Sequence, residues 1–336
     1  MVSGTLLTVA TILVFGQAAF DQTYQDLSAN SQMWTPPSCS SSCQSPNCGH
    51  TQPPTTYSAP ECDCAHSQPE GYRLWDSLEL FSGLEGSKQP QDFGVNAHFG
   101  GRVHANLGVP LWEEAGLGLQ LGTALNFTDH AVRVTSQIDG ADSRQQSFTT
   151  LGLFQRVDNW TWAVAHDFLA QKDYSSTFLS QWRGRVGYFV SDIDEIGVFA
   201  MLPQSQDSAS WAGAPVRLRP IAQGSAFWRH TWEGQAEVTG WLGLADGHGQ
   251  ANAALGDAPA KSQCVVFGAD FQVPLNDRWA LYGEANFITP ADTGTVDAYL
   301  GLAYYPGGGA RGWRKKAWSP VLPVANNTSM SIDLSR

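Results

Sequence analysis

Cys39, Cys43, Cys48, Cys62 and Cys64 crowd one segment in the spacing C-x3-C-x4-C-x13-C-x-C, with His50 and His66 beside them. In an oxidising compartment thiols this dense form disulfides, so all five are disulfide candidates. Cys48, His50, Cys62, Cys64 and His66 also offer soft and borderline metal ligands, but their spacing fits no standard zinc template. Disulfides are therefore expected and a metal is not. A sixth cysteine, Cys264, stands far from the others at the start of an alternating run, and is expected to face inward without joining the leader. The remaining chain is poor in catalytic patterns. There is no G-x-S-x-G elbow, H-E-x-x-H helix or phosphate-binding loop. The glycines of Gly116-Leu117-Gly118-Leu119-Gln120-Leu121-Gly122 alternate with leucines, as small residues in a strand do. His98, His104, His166 and His230 are scattered, and no serine stands where a hydrolytic triad would need one. No enzymatic activity and no cofactor are expected.

Charged residues carry more information because they recur at alternate positions. Arg102, Arg183, Arg185, Arg217, Arg219 and Arg229 share the polar face of their segments. So do Glu79, Glu85, Asp167, Glu237, Asp270, Glu284 and Asp297. In chain order most of the arginines fall in the middle of the protein and the acids gather towards its two ends. If the sheet closes, those ends become neighbours and the two sets face one another across a lumen. Two outcomes follow from that placement: a wet pore with a transverse field that orients polar solutes, or a network of paired charges that fills a narrow interior.

The elements that must position these side chains read as strands. Between Val95 and Leu107 apolar or small residues alternate with His98, Arg102, His104 and Asn106. A period of two sends the two sets to opposite faces. Similar runs recur near 76–85, 115–127, 147–156, 159–169, 178–190, 195–202, 216–231, 235–245, 263–273, 279–288 and 295–305, giving about twelve strands, within the range of membrane barrels. The links between them alternate in length. Those at 86–94, 128–146, 170–177, 203–215, 246–262 and 289–294 are mostly long, whereas 108–114, 157–158, 191–194, 232–234 and 274–278 are short. Long loops at one end and short turns at the other are the mark of an up-and-down membrane barrel. A Greek-key sandwich has no reason to sort its connections this way.

Composition agrees. Only 15% of residues are charged, against about 25% in ordinary soluble domains, yet no apolar block is long enough for a spanning helix. The apolar faces carry Leu117, Leu119, Leu121 and Leu125 on one run and Trp160, Trp162 and Val164 on another. Trp112, Trp160, Trp228, Trp232, Trp279, Tyr304 and Tyr305 sit near strand ends, where interfacial girdles form. A net charge of −12 argues against nucleic acid, which needs clustered cations. The basic residues Arg311, Arg314, Lys315 and Lys316 are read as a solvated end. Leu6–Phe15, followed by Gly16-Gln17-Ala18, has the form of an export signal.

Gly86-Ser87-Lys88-Gln89-Pro90-Gln91-Asp92-Phe93-Gly94-Val95-Asn96, Asp194-Glu195-Ile196-Gly197, Ala291-Asp292-Thr293-Gly294-Thr295-Val296-Asp297-Ala298 and Tyr305-Pro306-Gly307-Gly308-Gly309 resemble an uncharacterised planctomycete family of exported, barrel-like proteins. The likeness spans roughly 72–336. It implies a cell-envelope location and a barrel, and transfers no functional residue.

The reading is an all-β protein: a closed antiparallel up-and-down barrel of about twelve strands, with short periplasmic turns and long outer loops. Its parts are a signal peptide (1–18), a Cys/Pro/Ser-rich leader (19–70), the barrel (71–306) and a C-terminal tail (307–336). Its expected place is the bacterial outer membrane, with membrane lipid as partner. Its expected role is porin-like passage of small polar solutes or envelope structure. The alternative is a soluble or surface-attached β-sandwich binding carbohydrate or protein through its loops.

Overall fold

A computed structural model describes residues 72–92, 96–132, 143–211, 214–246, 263–289 and 295–335. Twelve strands form a closed antiparallel barrel: β1 (Leu78–Lys88), β2 (Ala97–Trp112), β3 (Leu117–Val132), β4 (Ser143–Val157), β5 (Trp160–Lys172), β6 (Ser176–Phe189), β7 (Asp194–Pro203), β10 (Gln223–Thr231), β11 (Glu237–Asp246), β12 (Gln263–Pro274), β13 (Trp279–Ile288) and β14 (Thr295–Tyr304). Closure comes from β1 pairing with β14, in a register running from Leu80↔Tyr304 to Lys88↔Val296. Every barrel strand thus has two neighbours and the barrel sheet has no open edge. This excludes the β-sandwich alternative.

Alternation along each strand separates two unlike faces. On β4 exposed and buried residues alternate for most of its length. The buried set includes Arg144, Gln146, Phe148 and Thr150, while Leu151 and Leu153 point outward. Elsewhere the outer face exposes Leu121, Leu125, Val164, Val186, Val198, Leu242 and Leu300. The polar face is therefore the inner one, the reverse of a sheet folded in water. At the short-turn end, Trp112, Trp160, Tyr188, Trp228, Trp232 and Trp279 are exposed around the rim. Trp160 pairs there with Tyr188 and Trp279 with Tyr304, with centroids 4.9 and 4.6 Å apart. Tyr305 does not belong to this ring. It turns inward, fully buried, and donates to Glu79 Oε2 at 3.0 Å.

The run near 216–231 is not one barrel strand. β8 (Asp207–Trp211) and β9 (Ala214–Pro220) form a hairpin that is not part of the barrel sheet, and β15 (Ile332–Ser335) adds to β9 to make a separate three-stranded sheet. Pro220 ends β9, since proline cannot continue a ladder of donated hydrogen bonds. The hairpin obeys the opposite parity rule from the barrel. Val216 and Leu218 are buried against a core with Phe148, Leu169, Leu179, Met330, Ile332 and Leu334, while Arg217 is exposed and Arg219 half-exposed.

Candidate functional site

The lumen is filled by the chain's own C-terminal tail. β14 ends at the short-turn end, where the backbone N–H of Tyr305 donates to Arg278 at 2.8 Å and that of Gly307 to Trp75 at 3.0 Å. Gly308 and Gly309 then reverse the chain with φ of 76° and 78°, a left-handed conformation that glycine adopts without a Cβ clash. Asp277 receives the turn, accepting from Gly309 N at 3.1 Å through its side chain. The ring of Trp313 lies tilted against Tyr305, with centroids 4.6 Å apart. Arg156 reaches under the rim to the carbonyls of Ala317 and Ser319 at 3.2 and 2.7 Å. From there the tail crosses the whole lumen to β15 at the long-loop end, and residues 324–334 are all buried. Of the basic residues expected to form a solvated end, Arg311 and Lys315 are exposed, whereas Arg314 is drawn to the wall carboxylates and the chain at 324–334 beyond them is buried. A polar lumen accepts a polar tail for the reason that a lipid-facing wall rejects it.

Side chains of the wall hold the tail mainly by its backbone. Gln120 donates to Leu322 O at 2.6 Å and accepts from Leu322 N at 3.3 Å. Asn106 donates to the same carbonyl at 3.1 Å. Arg183 donates to Pro323 O at 2.9 Å, Gln181 to Ser329 O at 2.8 Å, and Thr150 Oγ accepts from Ala325 N at 2.9 Å. Gln89 accepts from Ile332 N at 3.1 Å. Asn327 donates to Glu85, and Thr328 to Glu284.

Arg102, Arg183, Arg185, Arg229, Glu79, Glu85, Asp167, Glu237, Asp270, Glu284 and Asp297 are all buried on barrel strands. Glu237, Asp270, Glu284, Asp297, Glu79 and Glu85 share one arc of the barrel, β11 to β14 and β1, but the arginines of β6 and β10 are paired with acids of their own side. Arg183 donates to Asp167 Oδ1 at 2.9 Å on the adjacent strand. Arg185 and Arg229 converge on Glu195 at 3.3 and 2.7 Å. Arg102 lies 3.6 Å from Glu85, and His104 lies 3.0 Å from Glu79. On the acidic side the counter-charge is the tail's Arg314, 3.4 Å from Glu237 and 3.2 Å from Asp270. Local pairing replaces the transverse field, because an unpaired charge in an enclosed interior costs several kcal/mol. Arg217 and Arg219 leave the set altogether: both lie on β9, where Arg219 faces Asp333 of β15 at 3.8 Å. Glu195, Arg144, Arg156 and Arg314 were missed. For Glu195 the signal was available, since its neighbours Ile196 and Val198 face outward.

At the long-loop end the Gln89-Pro90-Gln91-Asp92 stretch folds into the mouth and is buried. Asp92 Oδ1 accepts from Arg144 at 2.9 Å and lies 3.2 Å from His98 Nε2, while Oδ2 accepts from Gln89 N at 2.7 Å. Burial opposes ionisation of Asp92, but Arg144 and His98 together hold its carboxyl below the ordinary range. Asp173, Asp92 and His98 bring ligand atoms within 4.8 Å of one another. Arg144 supplies the positive charge at that point. The five leader cysteines and the signal segment lie outside the described residues. Cys264 is buried on the inner face of β12.

Fold and site together define a closed barrel with a re-entrant C-terminal plug. The chain belongs to the family of unknown function DUF6666, which matches residues 77–332. No functionally curated protein matches it. Among solved structures it is similar to the KdgM porin at 10% identity, with a TM-score of 0.35, covering 67% of this chain and 98% of that one. It is similar to the NanC porin at 8% identity and a TM-score of 0.38, covering 67% and 98%. A Pseudomonas aeruginosa FadL homologue is 8% identical with a TM-score of 0.41, covering 68% and 90%.

Proposed function

We propose that this chain is a non-enzymatic bacterial outer-membrane barrel whose resting lumen is closed by its own tail, serving as an integral component of the envelope. The observation that carries the closed state is the unbroken burial of residues 324–334 across the lumen. Membrane insertion is supported by the outward apolar face, the rim of exposed tryptophans and the absence of a free barrel edge. The signal segment at 1–18 and the leader at 19–70 fit export to that place. Wall charges that would select solutes in an open pore are engaged instead with one another and with the tail.

Porin-like passage of small polar solutes belongs to a second state, in which the tail has left. The inner wall favours such a state: it presents Gln120, Gln146, Gln181 and Asn126, side chains that water satisfies as readily as a peptide does. The test is conductance of the refolded full chain in a planar bilayer, alongside membrane fractionation and heat-modifiable migration. The expected result is a membrane-bound, heat-modifiable protein without steady conductance. A constant open current overturns the closed resting state, and a soluble protein overturns the membrane reading.

A further inference from the structure

The contacts between wall and tail have the form of a receptor holding a peptide rather than that of a core packed on itself. In folded domains about two-thirds of hydrogen bonds join backbone to backbone. Between Ser319 and Ser331, among the described residues, one such bond links wall and tail, from Ile221 N to Ser331 O. The others use side chains, most of them wall side chains on the tail backbone, with Asn327 and Thr328 donating from the tail. Gln120 addresses both the N–H and the C=O of Leu322, since a primary amide offers the same donor and acceptor that a peptide unit presents. Further along the tail Gln89 uses both ends of its amide on two different residues, accepting from Ile332 N at 3.1 Å and donating to Asn327 O at 3.2 Å.

Beyond these amides, the tail's apolar side chains enter separate pockets. Leu322 packs with Phe154, Ala163 and Ala165. Met330, Ile332 and Leu334 enter the cluster containing Phe148, Leu169 and Leu218. The last residues add as a strand to β9, in the register Ile332↔Pro220 to Ser335↔Arg217. Backbone contacts that give affinity, pockets that give specificity and strand addition at one end are together a recurring mode of peptide recognition.

We propose that the lumen is a receptor groove for a polypeptide segment, with residues 319–335 as its resident ligand, and that the same segment supplied free can take its place. This rests on the closed-lumen reading above and adds that the plug is exchangeable.

The experiment uses the full chain, folded and reconstituted in phosphatidylcholine vesicles, with a protease site inserted between Ala310 and Arg311. After cutting, the native tail is washed out with urea below the barrel's own unfolding transition. A fluorescent synthetic peptide of residues 311–336 is then added, and bound label is read by anisotropy. The expected result is saturable binding, at least a hundredfold weaker binding of a scrambled peptide, and about a tenfold loss in Gln120→Leu, the size of one or two hydrogen bonds. A tail that leaves only when the barrel unfolds, label that never enters the emptied barrel, or equal binding of the scrambled peptide overturns the proposal. If the uncut chain is non-conducting while label is refused, the exchangeable plug alone fails. If the uncut chain conducts steadily, the closed-lumen reading itself fails.

Discussion

Arg314 of the tail places Nη2 3.2 Å from Oδ1 of Asp270 on β12. The same guanidinium reaches Glu237 on β11, so one side chain pairs with two carboxylates of the wall and fixes the tail where it enters the lumen.

Removing this pin leaves two enclosed carboxylates without their partner. Arg314→Ala is expected to destabilise the folded barrel by about 3 kcal/mol, the cost of breaking a buried pair. It should also add brief openings to the otherwise silent bilayer record. Arg314→Lys restores charge but not the two-pronged geometry, so its recovery should be partial. Unchanged heat-modifiability and an unchanged current in the alanine variant would show that the tail is held elsewhere.

Close approach of the tail to the wall gives a steric test. A Cβ added at Gly108 would collide with the backbone carbonyl of Trp318, which cannot rotate aside as a side chain can. Gly108→Val should therefore cost roughly 1–3 kcal/mol, as overpacking does, and loosen the tail. Gly101 lies on the same strand with nothing within 4 Å of an added Cβ. Gly101→Val is the control and should leave the urea midpoint nearly unchanged.

Acidification should release the mouth before the barrel. Asp92 faces Arg144 of β4, His98 of β2 and Asp173 of the β5–β6 turn. Its pKa is lowered in the folded state, so its contribution is complete above the ordinary value of 3.8 and is lost as pH falls below that value. Protection of Gln89 N against hydrogen exchange, relative to the free-peptide rate at the same pH, should fall in that window, since this amide donates to the Asp92 carboxylate. Asp92→Asn should remove that pH dependence of protection and leave the amide weakly protected at every pH. A protection factor that does not change with pH in the parent chain would refute the assignment.

Threading adds a thirteenth crossing to a twelve-stranded barrel. β1 begins at the short-turn end, whereas the pairing of Ser335 with Arg217 places the end of β15 among the long loops. An epitope appended after Arg336 should therefore be labelled on intact cells from the same side as one inserted at 133–142. Labelling from opposite sides would mean that the tail does not traverse the lumen.

How much of this was written along the chain depends on the range of each interaction. Strand alternation is local, with a period of two set by backbone geometry. It therefore revealed the barrel strands, the inner placement of residues such as Arg102 and Asp167, and the sorting of long and short connections. The same rule misplaced Arg217 and Arg219, because parity tells which side chains share a face but not what lies beyond it. In the barrel wall the outer surroundings are apolar and polar residues turn inward. Around β9 an apolar core lies inside, and Leu218 turns inward instead. The tail's course was invisible for a related reason. Asn326-Asn327-Thr328-Ser329 reads as a solvated segment, and only an enclosed polar lumen makes burial of its amides and hydroxyls favourable. That lumen exists only after closure, when Gln120 and Leu322 meet across 202 positions of sequence. The strands follow from neighbouring residues, whereas the plug follows from desolvated polar groups that find partners only once distant segments have assembled.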